Sequence, residues 1–497
     1  MSSLKKVRLC VVLIIFVVLV LTFLKPYLIR EVESGAPAER FTGYLDQRIP
    51  ELMESHRIPG VNIALVKEGK TLWTQAYGYA QVEAGRKMTT DTYLRVESIS
   101  KSVTSWGVMK LVEQGIIQLD APVVSYLKNW KFPESRFSEE KVTVRQLLSH
   151  SAGLPLGNIF NRYAPTKEIP SLQDSLSMQA VLVRAPGTSF SYSNTGFNLL
   201  ELLIEEVTGR NFAEYMEQEI LNPLGMVKSS FTWSADFNPE VPNGYDLTGK
   251  PVPVYIYPEK GSGGLFATVE DIARFLTAGM PGFTQDHPVI NTESINALYS
   301  PTIKRLGIYS LVFDAYGLGY YIERLGGRRA VSHGGQGAGW MTHFHAVPET
   351  GDGIVILTNS QRSWPFIAYI LRDWAKWNGF SSVGMGKIII GQHILTILVG
   401  LIWITILWWG WRLGKELISG KRRFAPLAKE SRSLRLMQSS FSLILLSILW
   451  WCLNQDYLFI SSVFPLVAGW LGISTFFFAL VLLLSSLLVH KEERRCF

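Results

Sequence analysis

The apolar positions of this chain follow two patterns. At four places they run on with little polar interruption: residues 9–24 (LCVVLIIFVVLVLTFL), about 387–411, 436–453 and 463–489. Between residues 30 and 385 they recur with shorter periods, as in elements that bury one face. VNIALVKEGKTLWTQAYGYA, residues 61–80, predicts two strands around a turn at Glu68-Gly69. A helix is predicted from about Ser98 to Gln114, with Gly115 as its stop. Residues 120–180 are rich in Pro, Ser and Asn, with short helical pieces such as VTVRQLLSH. GFNLLELLIEEVTG, 196–209, has helical spacing and a glycine end, and FAEYMEQEIL follows as a second helix. TVEDIARFLTAG, 268–279, opens with a Thr-x-x-Asp cap. Residues 330–358 return to strands in AVSHGG, WMTHFHAVP and GIVILTN, and SWPFIAYILRDWAKW, 363–377, closes the region as a helix. Strands at both ends with helices between predict an α+β fold. The terminal strands would share one antiparallel sheet, and the middle would be a mostly helical insertion.

The four long runs change the picture from a soluble chain to a membrane protein. Each is long enough, or nearly so, to cross ~30 Å of hydrocarbon at ~1.5 Å per residue. Lys5, Lys6 and Arg8 precede the first run. The loop from Arg412 to Arg435 carries Lys415, Lys421, Arg422, Arg423, Lys429 and Arg432 against Glu416 and Glu430, and the tail carries Lys491, Arg494 and Arg495. Four crossings put these basic flanks on one side, which the positive-inside rule makes cytoplasmic. The expected organisation is an N-terminal signal or anchor over 1–29 and an extracytoplasmic domain over 30–380. Three transmembrane helices with a basic cytoplasmic loop follow over 386–490, then a cytoplasmic tail over 491–497. The expected location is the cytoplasmic (inner) membrane, as a multi-pass protein in contact with the lipid bilayer. Ala36-Pro37-Ala38 looks like a cleavage site but lies far from the first run, which favours an anchor. Trp408, Trp409, Trp411, Trp450 and Trp451 are of the kind that sits at membrane interfaces. Anchoring is the plain role of these helices; the alternative is that they help to admit or receive substrate. The formal charge of +7 belongs largely to the flanks, so nucleic acid is not an expected partner. The three cysteines, Cys10, Cys452 and Cys496, lie in or beside apolar runs. No disulfide framework or cysteine-based metal site is therefore expected between residues 11 and 451.

Three clusters in the exterior region could carry chemistry. In VESISKSVTSW, 96–106, Ser98 and Lys101 stand three apart, on one face of the predicted helix. A serine hydroxyl needs a base beside it to act as a nucleophile. Lysine serves as that base only if desolvated or placed near other cations. A helix N-terminus offers N–H groups to a developing oxyanion. The plain alternative is a capping serine with a surface lysine. In SYSN, Tyr192 near an ammonium could ionise and relay a proton, and Asn194 could hold a substrate amide; a turn and helix cap explain the same residues. In SHGGQGAGW, 332–340, His333 ends a strand and the glycines let a substrate backbone approach closely; a glycine-rich strand end is the alternative. No Gly-Lys-Ser/Thr follows, so this is not a phosphate loop. His343 and His345 share a strand face, but no third ligand is evident, so no metal and no cofactor is expected. The chain has no Gly-x-Ser-x-Gly elbow.

Together these residues resemble the serine β-lactamase and penicillin-binding-protein family, in its class C branch. IPGVNIALVKEGK, VRQLLSHSAGLP, PGTSFSYSNTGFNLLELLIEEVTG, NPLGM, GSGGLFATVEDIARFL and HGGQGAG carry the resemblance in the usual order, over roughly residues 40–378. It implies a β-lactamase/transpeptidase-like fold, with an antiparallel sheet flanked by helices plus a mostly helical subdomain. It implies that Ser98 forms an acyl-enzyme, that Lys101 activates it, and that Tyr192 accepts and returns protons. Asn194 would orient the substrate amide. His333, Gly334 and Gly335 would occupy the third motif, and the N–H groups of Ser98 and Gln336 would form the oxyanion hole. The family's β-lactam-binding members carry a lysine where this chain has His333, and Gly334 removes a hydroxyl that would bind a carboxylate. Strong β-lactamase activity is therefore not expected. Esterases and D-amino-acid peptidases similar to this branch share the histidine. An exterior domain followed by three membrane helices resembles the colibactin-activating kind of peptidase, and also the membrane-anchored penicillin-binding-like proteins of Gram-positive bacteria. The expectation is a membrane-anchored serine hydrolase acting on an amide of a peptide-like substrate, such as a D-amino-acid peptide or prodrug. The alternatives are a wall-directed esterase or D,D-carboxypeptidase, and a sensor that is acylated without turning over.

Overall fold

A hairpin near the start of the exterior region organises the sheet. Strands β1 (Gly60–Lys67) and β2 (Lys70–Gln81) pair antiparallel across Glu68 and Gly69. Both turn residues have positive φ, 49° and 69°, as the tight turns that match strand twist require. The computed structural model describes residues 32–158, 161–283, 289–426, 431–455 and 458–490. The first long apolar run and the basic tail lie outside the described residues. The chain divides into one compact unit over Glu31–Lys387 and a second built from Ile388–Phe497 with Met1–Arg30.

In the first unit, β3 (Arg86–Lys87) extends the hairpin on one side. On the other side β1 pairs with the last strand of the region. The C-terminal strands are β4 (Ala315–Tyr316), β5 (Tyr321–Leu325), β6 (Arg328–Gly337), β7 (Trp340–Val347) and β8 (Asp352–Thr358). They complete an eight-stranded antiparallel sheet of order β3-β2-β1-β8-β7-β6-β5-β4. Register Val61↔Thr358 through Val66↔Gly353 joins the two ends of the domain, so the expected shared sheet is present. The central strands β1, β7 and β8 are buried on almost every residue, which requires cover on both faces.

That cover comes from five helices: α1 (Ala38–His56), α2 (Ile99–Glu113), α3 (Asn194–Thr208), α4 (Val269–Ala278) and α5 (Trp364–Trp377). On one face Ala64, Val66, Phe344, Val355 and Leu357 share a core with Trp106 of α2 and Phe275 of α4. On the opposite face of β7, His343 and His345 meet Trp364 and Trp374 of α5. Helix α1 packs on α5, with Phe41 stacked on Trp377 at 4.3 Å. The pattern reading above did not assign α1. Phe41, Leu45, Ile49, Leu52 and Met53 carry its helical signal as its buried stripe, and Pro50 inside the helix obscures it. The expected second helix after α3 is also different in kind: an α-helical turn, Phe212–Met216, runs into a π-helical one, Glu217–Leu221.

The capped termini follow the sequence. Thr268 accepts from Asp271 N–H at α4, and Ser193 accepts from Gly196 N–H at α3. Thr143 and Gln146 form a full capping box on the short helix Val144–Leu148. Helix α2 differs from the others. From Ile99 to Met109 every residue is buried, so this stretch runs through the middle of the domain with no water-facing side, and the helix reaches water in its last turn at Glu113.

The second unit contains α6 (Gly386–Ile418), α7 (Arg432–Leu453) and α8 (Pro465–Leu487), each long and apolar enough to cross a membrane. Many of their large apolar side chains point outward, including Ile397, Leu401, Trp408, Leu443, Ile448 and Phe477, the arrangement a lipid environment favours. Ser442 Oγ donates to Ala479 O at 2.7 Å between α7 and α8, a side-chain hydrogen bond of the kind that holds helices together in lipid.

Candidate active site

The site forms where α2 begins. The two-residue strand Leu94–Arg95 pairs with Phe266–Ala267 and delivers the chain to Glu97, whose φ of 50° turns it sharply. Ser98 then opens the helix, half-buried, while Lys101 one turn later is wholly buried. The Lys101 Nζ donates to Ser98 Oγ at 3.0 Å, to Asn194 Oδ1 at 2.7 Å and to Ser262 O at 2.7 Å. It also lies 5.1 Å from the centre of the Tyr192 ring. Burial pushes the Lys101 ammonium down to about 7, with the nearby Glu97 carboxylate opposing the shift. The desolvation that a lysine base beside Ser98 needs is therefore supplied by the central position of α2.

Tyr192 and Asn194 arrive from the turn that caps α3. Burial raises the Tyr192 phenol, and the neighbouring Ser98 hydroxyl only partly opposes that. The phenol is therefore held in its neutral form rather than as a standing phenolate. The turn is held by His150, which the sequence reading did not single out. His150 Nδ1 accepts from Ser193 N–H at 3.1 Å, and its ring lies 4.3 Å from that of Tyr192. Burial keeps this imidazole neutral. Ser262, also unforeseen, contributes only its carbonyl, so its side-chain type gave no signal.

Strand β6 forms the facing wall. It pairs with β5 only as far as Ser332, while its pairing with β7 continues to Gly337. The glycines of this stretch serve the approach of strand to turn. A Cβ on Gly335 would fall 2.2 Å from Val96 O and 2.3 Å from Thr342 Oγ1, and one on Gly337 would fall 2.3 Å from the Glu97 carboxyl carbon. Gly334 alternates to the other face, under Trp364. Gln336 also sends its side chain that way, accepting from Trp364 Nε1 at 2.9 Å.

His333 is fully buried. Its Nε2 meets Tyr316 Oη at 3.1 Å and its Nδ1 meets Gly334 O at 2.9 Å. Since a carbonyl only accepts, Nδ1 carries the hydrogen and Nε2 accepts from the tyrosine. Burial, reinforced by Lys101, pushes this imidazole down to about 3. The third motif thus presents no cation. Ser98, Lys101, Tyr192 and Asn194 are brought together; Gly335 lies against the residues preceding Ser98; the side chains of Gln336 and His333 are engaged elsewhere. His343 and His345 lie under α5, both neutral by burial.

A Ser–Lys–Tyr cluster at the start of a buried helix, faced by a glycine-rich strand edge, agrees with comparisons to known proteins. The family described as Beta-lactamase matches residues 45–372. Protein flp of Staphylococcus aureus (strain N315) is 27% identical over 324 residues, covering 63% of this chain and 62% of that protein. The chain thus spans under two thirds of the length of these staphylococcal relatives. Esterase EstB of Burkholderia gladioli is 28% identical over 290 residues, covering 50% of this chain and 72% of the esterase. Among solved structures, the octameric penicillin-binding protein homologue from Pyrococcus abyssi superposes with a TM-score of 0.56 at 30% identity, covering 66% of this chain and 77% of that one. The chain belongs to the Beta-lactamase family, whose members are serine hydrolases.

Proposed function

We propose that this protein is a membrane-anchored serine hydrolase that cleaves an amide of a peptide-like substrate outside the cytoplasm through an acyl-enzyme on Ser98. One observation carries the reading: the buried Lys101 amine, with its proton affinity lowered to about 7, sits 3.0 Å from the half-buried Ser98 Oγ. At neutral pH a large fraction of that amine is unprotonated and can take the Ser98 proton. Oγ then attacks the substrate carbonyl carbon, and the oxygen of the tetrahedral intermediate is received by the N–H groups of Ser98 and Gln336. The C–N bond breaks as Tyr192 passes a proton to the departing amine and is refilled from Lys101. Water, deprotonated by the same route, releases the acyl group. Asn194 orients the substrate amide.

The third motif supports an amide without a carboxylate at the place where a lysine would receive one, because His333 is neutral and turned onto Tyr316. A D-amino-acid peptide, or a prodrug built on one, meets this condition where no free carboxylate follows the scissile amide. The similarity to esterase EstB favours a second reading, an esterase acting at the cell envelope. The catalytic unit lies on the extracytoplasmic side of the cytoplasmic membrane, with the Arg412–Arg435 loop inside.

A fluorophosphonate tests the common core of both readings. Ser98 Oγ displaces fluoride from phosphorus and the serine proton leaves by way of Lys101. Intact mass of the full-length protein should show one adduct, absent in Ser98→Ala and slowed at least ~100-fold in Lys101→Ala. An unlabelled wild-type protein would remove the serine-hydrolase reading. Comparing ester with D-acyl amide turnover then separates the two enzymes.

A further inference from the structure

Glu97 stands immediately before the nucleophile in a conformation that residues with a Cβ rarely adopt, with φ of 50°. Its side chain is buried beside the site. Glu97 Oε1 accepts from Arg95 Nε and from Tyr255 Oη, each at 2.9 Å, and Oε2 accepts from Tyr257 Oη at 3.3 Å. The Arg95 guanidinium is buried too. It donates to Tyr255 O at 2.7 Å and to Gly263 O at 3.1 Å, and lies over the rings of Tyr255, Tyr257 and Phe266 at 4.4, 4.7 and 4.9 Å. The absent Cβ of Gly337 leaves room for the Glu97 carboxylate against the end of β6. One carboxylate therefore touches three walls of the site: the turn that carries Ser98, the 255–263 segment whose Ser262 carbonyl receives Lys101, and the strand facing both.

We infer that Glu97 is a positioning residue for the Ser98–Lys101 pair, its carboxylate locking the nucleophile turn to β6 and setting the field in which Lys101 exchanges its proton. This rests on the reading of Ser98 as nucleophile. A buried carboxylate without Arg95 would be costly, and a buried arginine without Glu97 equally so, so the pair comes as a unit. The other groups facing Lys101 are uncharged: the Tyr192 phenol, and His150 and His333, both neutral by burial. Glu201, also buried, is pushed up to about 8 and holds the Lys260 and Gly261 N–H groups at 2.6 and 2.7 Å. Glu97 is thus the carboxylate that works against burial at Lys101. Removing its charge leaves Lys101 easier to deprotonate, and the unpaired Arg95 adds to that.

The test is the pH dependence of fluorophosphonate labelling at Ser98, read by intact mass on the full-length protein in detergent. Wild type is compared with Glu97→Gln, Glu97→Gly and Glu97→Asp. Glycine suits the positive φ, so Glu97→Gly supplies the measurement if Glu97→Gln does not fold. The expected result is an acid limb moved downward by about one pH unit or more in Gln and Gly, with a lower plateau rate, and a limb near the wild-type position in Asp. An unmoved limb with only a lower plateau would make Glu97 a packing residue and overturn the inference, while labelled wild type would leave the Ser98 reading standing. Absence of any Ser98 adduct in wild type would overturn both.

Discussion

Lys101 shows how one residue type acquires chemistry from its surroundings. Its three polar contacts match the three hydrogens of an ammonium, yet burial pulls the group toward the neutral amine. Charged, it donates to Ser98, Asn194 and Ser262; neutral, it is the form that the proposed mechanism uses to accept the serine proton. Since the folded lysine is lowered to about 7, the reactive neutral form grows as pH rises through that value. The labelling rate should therefore fall roughly tenfold per unit well below pH 7 and reach a plateau above it. A flat profile from pH 5 to 9 would show that Lys101 does not carry the proton. Tyr192 does not produce this limb, because burial moves its phenol away from neutrality, upward. Ser-x-x-Lys itself was visible in the sequence, but it also begins at Ser2, Ser3, Ser125 and Ser138. Beyond the family resemblance, the burial of Lys101 is what separates this occurrence from a capping serine with a surface lysine.

At the level of elements, the site depends on how closely β6 approaches the start of α2. Thr342 Oγ1 on β7 donates to Val96 O at 2.8 Å, and the missing side chain of Gly335 is what allows that contact. Gly335→Ala puts a methyl group against a backbone oxygen, which cannot swing aside as a side chain can. It should cost ~1–3 kcal/mol and slow Ser98 labelling as the strand shifts. Gly43→Ala is the contrasting change. It lies inside α1 with nothing within 4 Å of the added Cβ, and should stabilise by ~0.5–1 kcal/mol without altering labelling. Denaturation midpoints and labelling rates measured together check both. If Gly335→Ala proves as benign as Gly43→Ala, close packing of β6 on the turn is not what these glycines provide. The sequence suggested another reason for the glycines, room for a substrate backbone. Strand alternation and the packing of β6 onto residues 96–97 show a further use of Gly335 and Gly337, contact with the protein's own turn.

For the whole molecule, orientation is the decisive property. The loop between α6 and α7 is rich in lysine and arginine, and the three helices are individually long enough, at roughly 33–50 Å by residue rise, for a ~30 Å core. In a variant lacking its native cysteines, Ser138→Cys and Ser419→Cys place thiols at exposed positions in the first and second units. In intact cells a maleimide that cannot cross the cytoplasmic membrane should label Cys introduced at 138, and label the one at 419 only after lysis. The reverse pattern would place the catalytic unit in the cytoplasm.

The sequence by itself determined what is local. The β1–β2 turn, the caps of α3 and α4, the spacing of Ser98 and Lys101 on one helical face, and the long apolar helices all depend on residues a few positions apart. So does the family resemblance, which runs through short motifs in order. Tertiary structure decided the rest, because burial and electrostatics belong to pairings across the chain. The β1–β8 register joins residues 61 and 358, and α1 gains its partner α5 more than 300 positions away. The low proton affinity of Lys101, the neutral His333 on Tyr316, and the Arg95–Glu97 pair behind Ser98 exist only where those distant segments exclude water together.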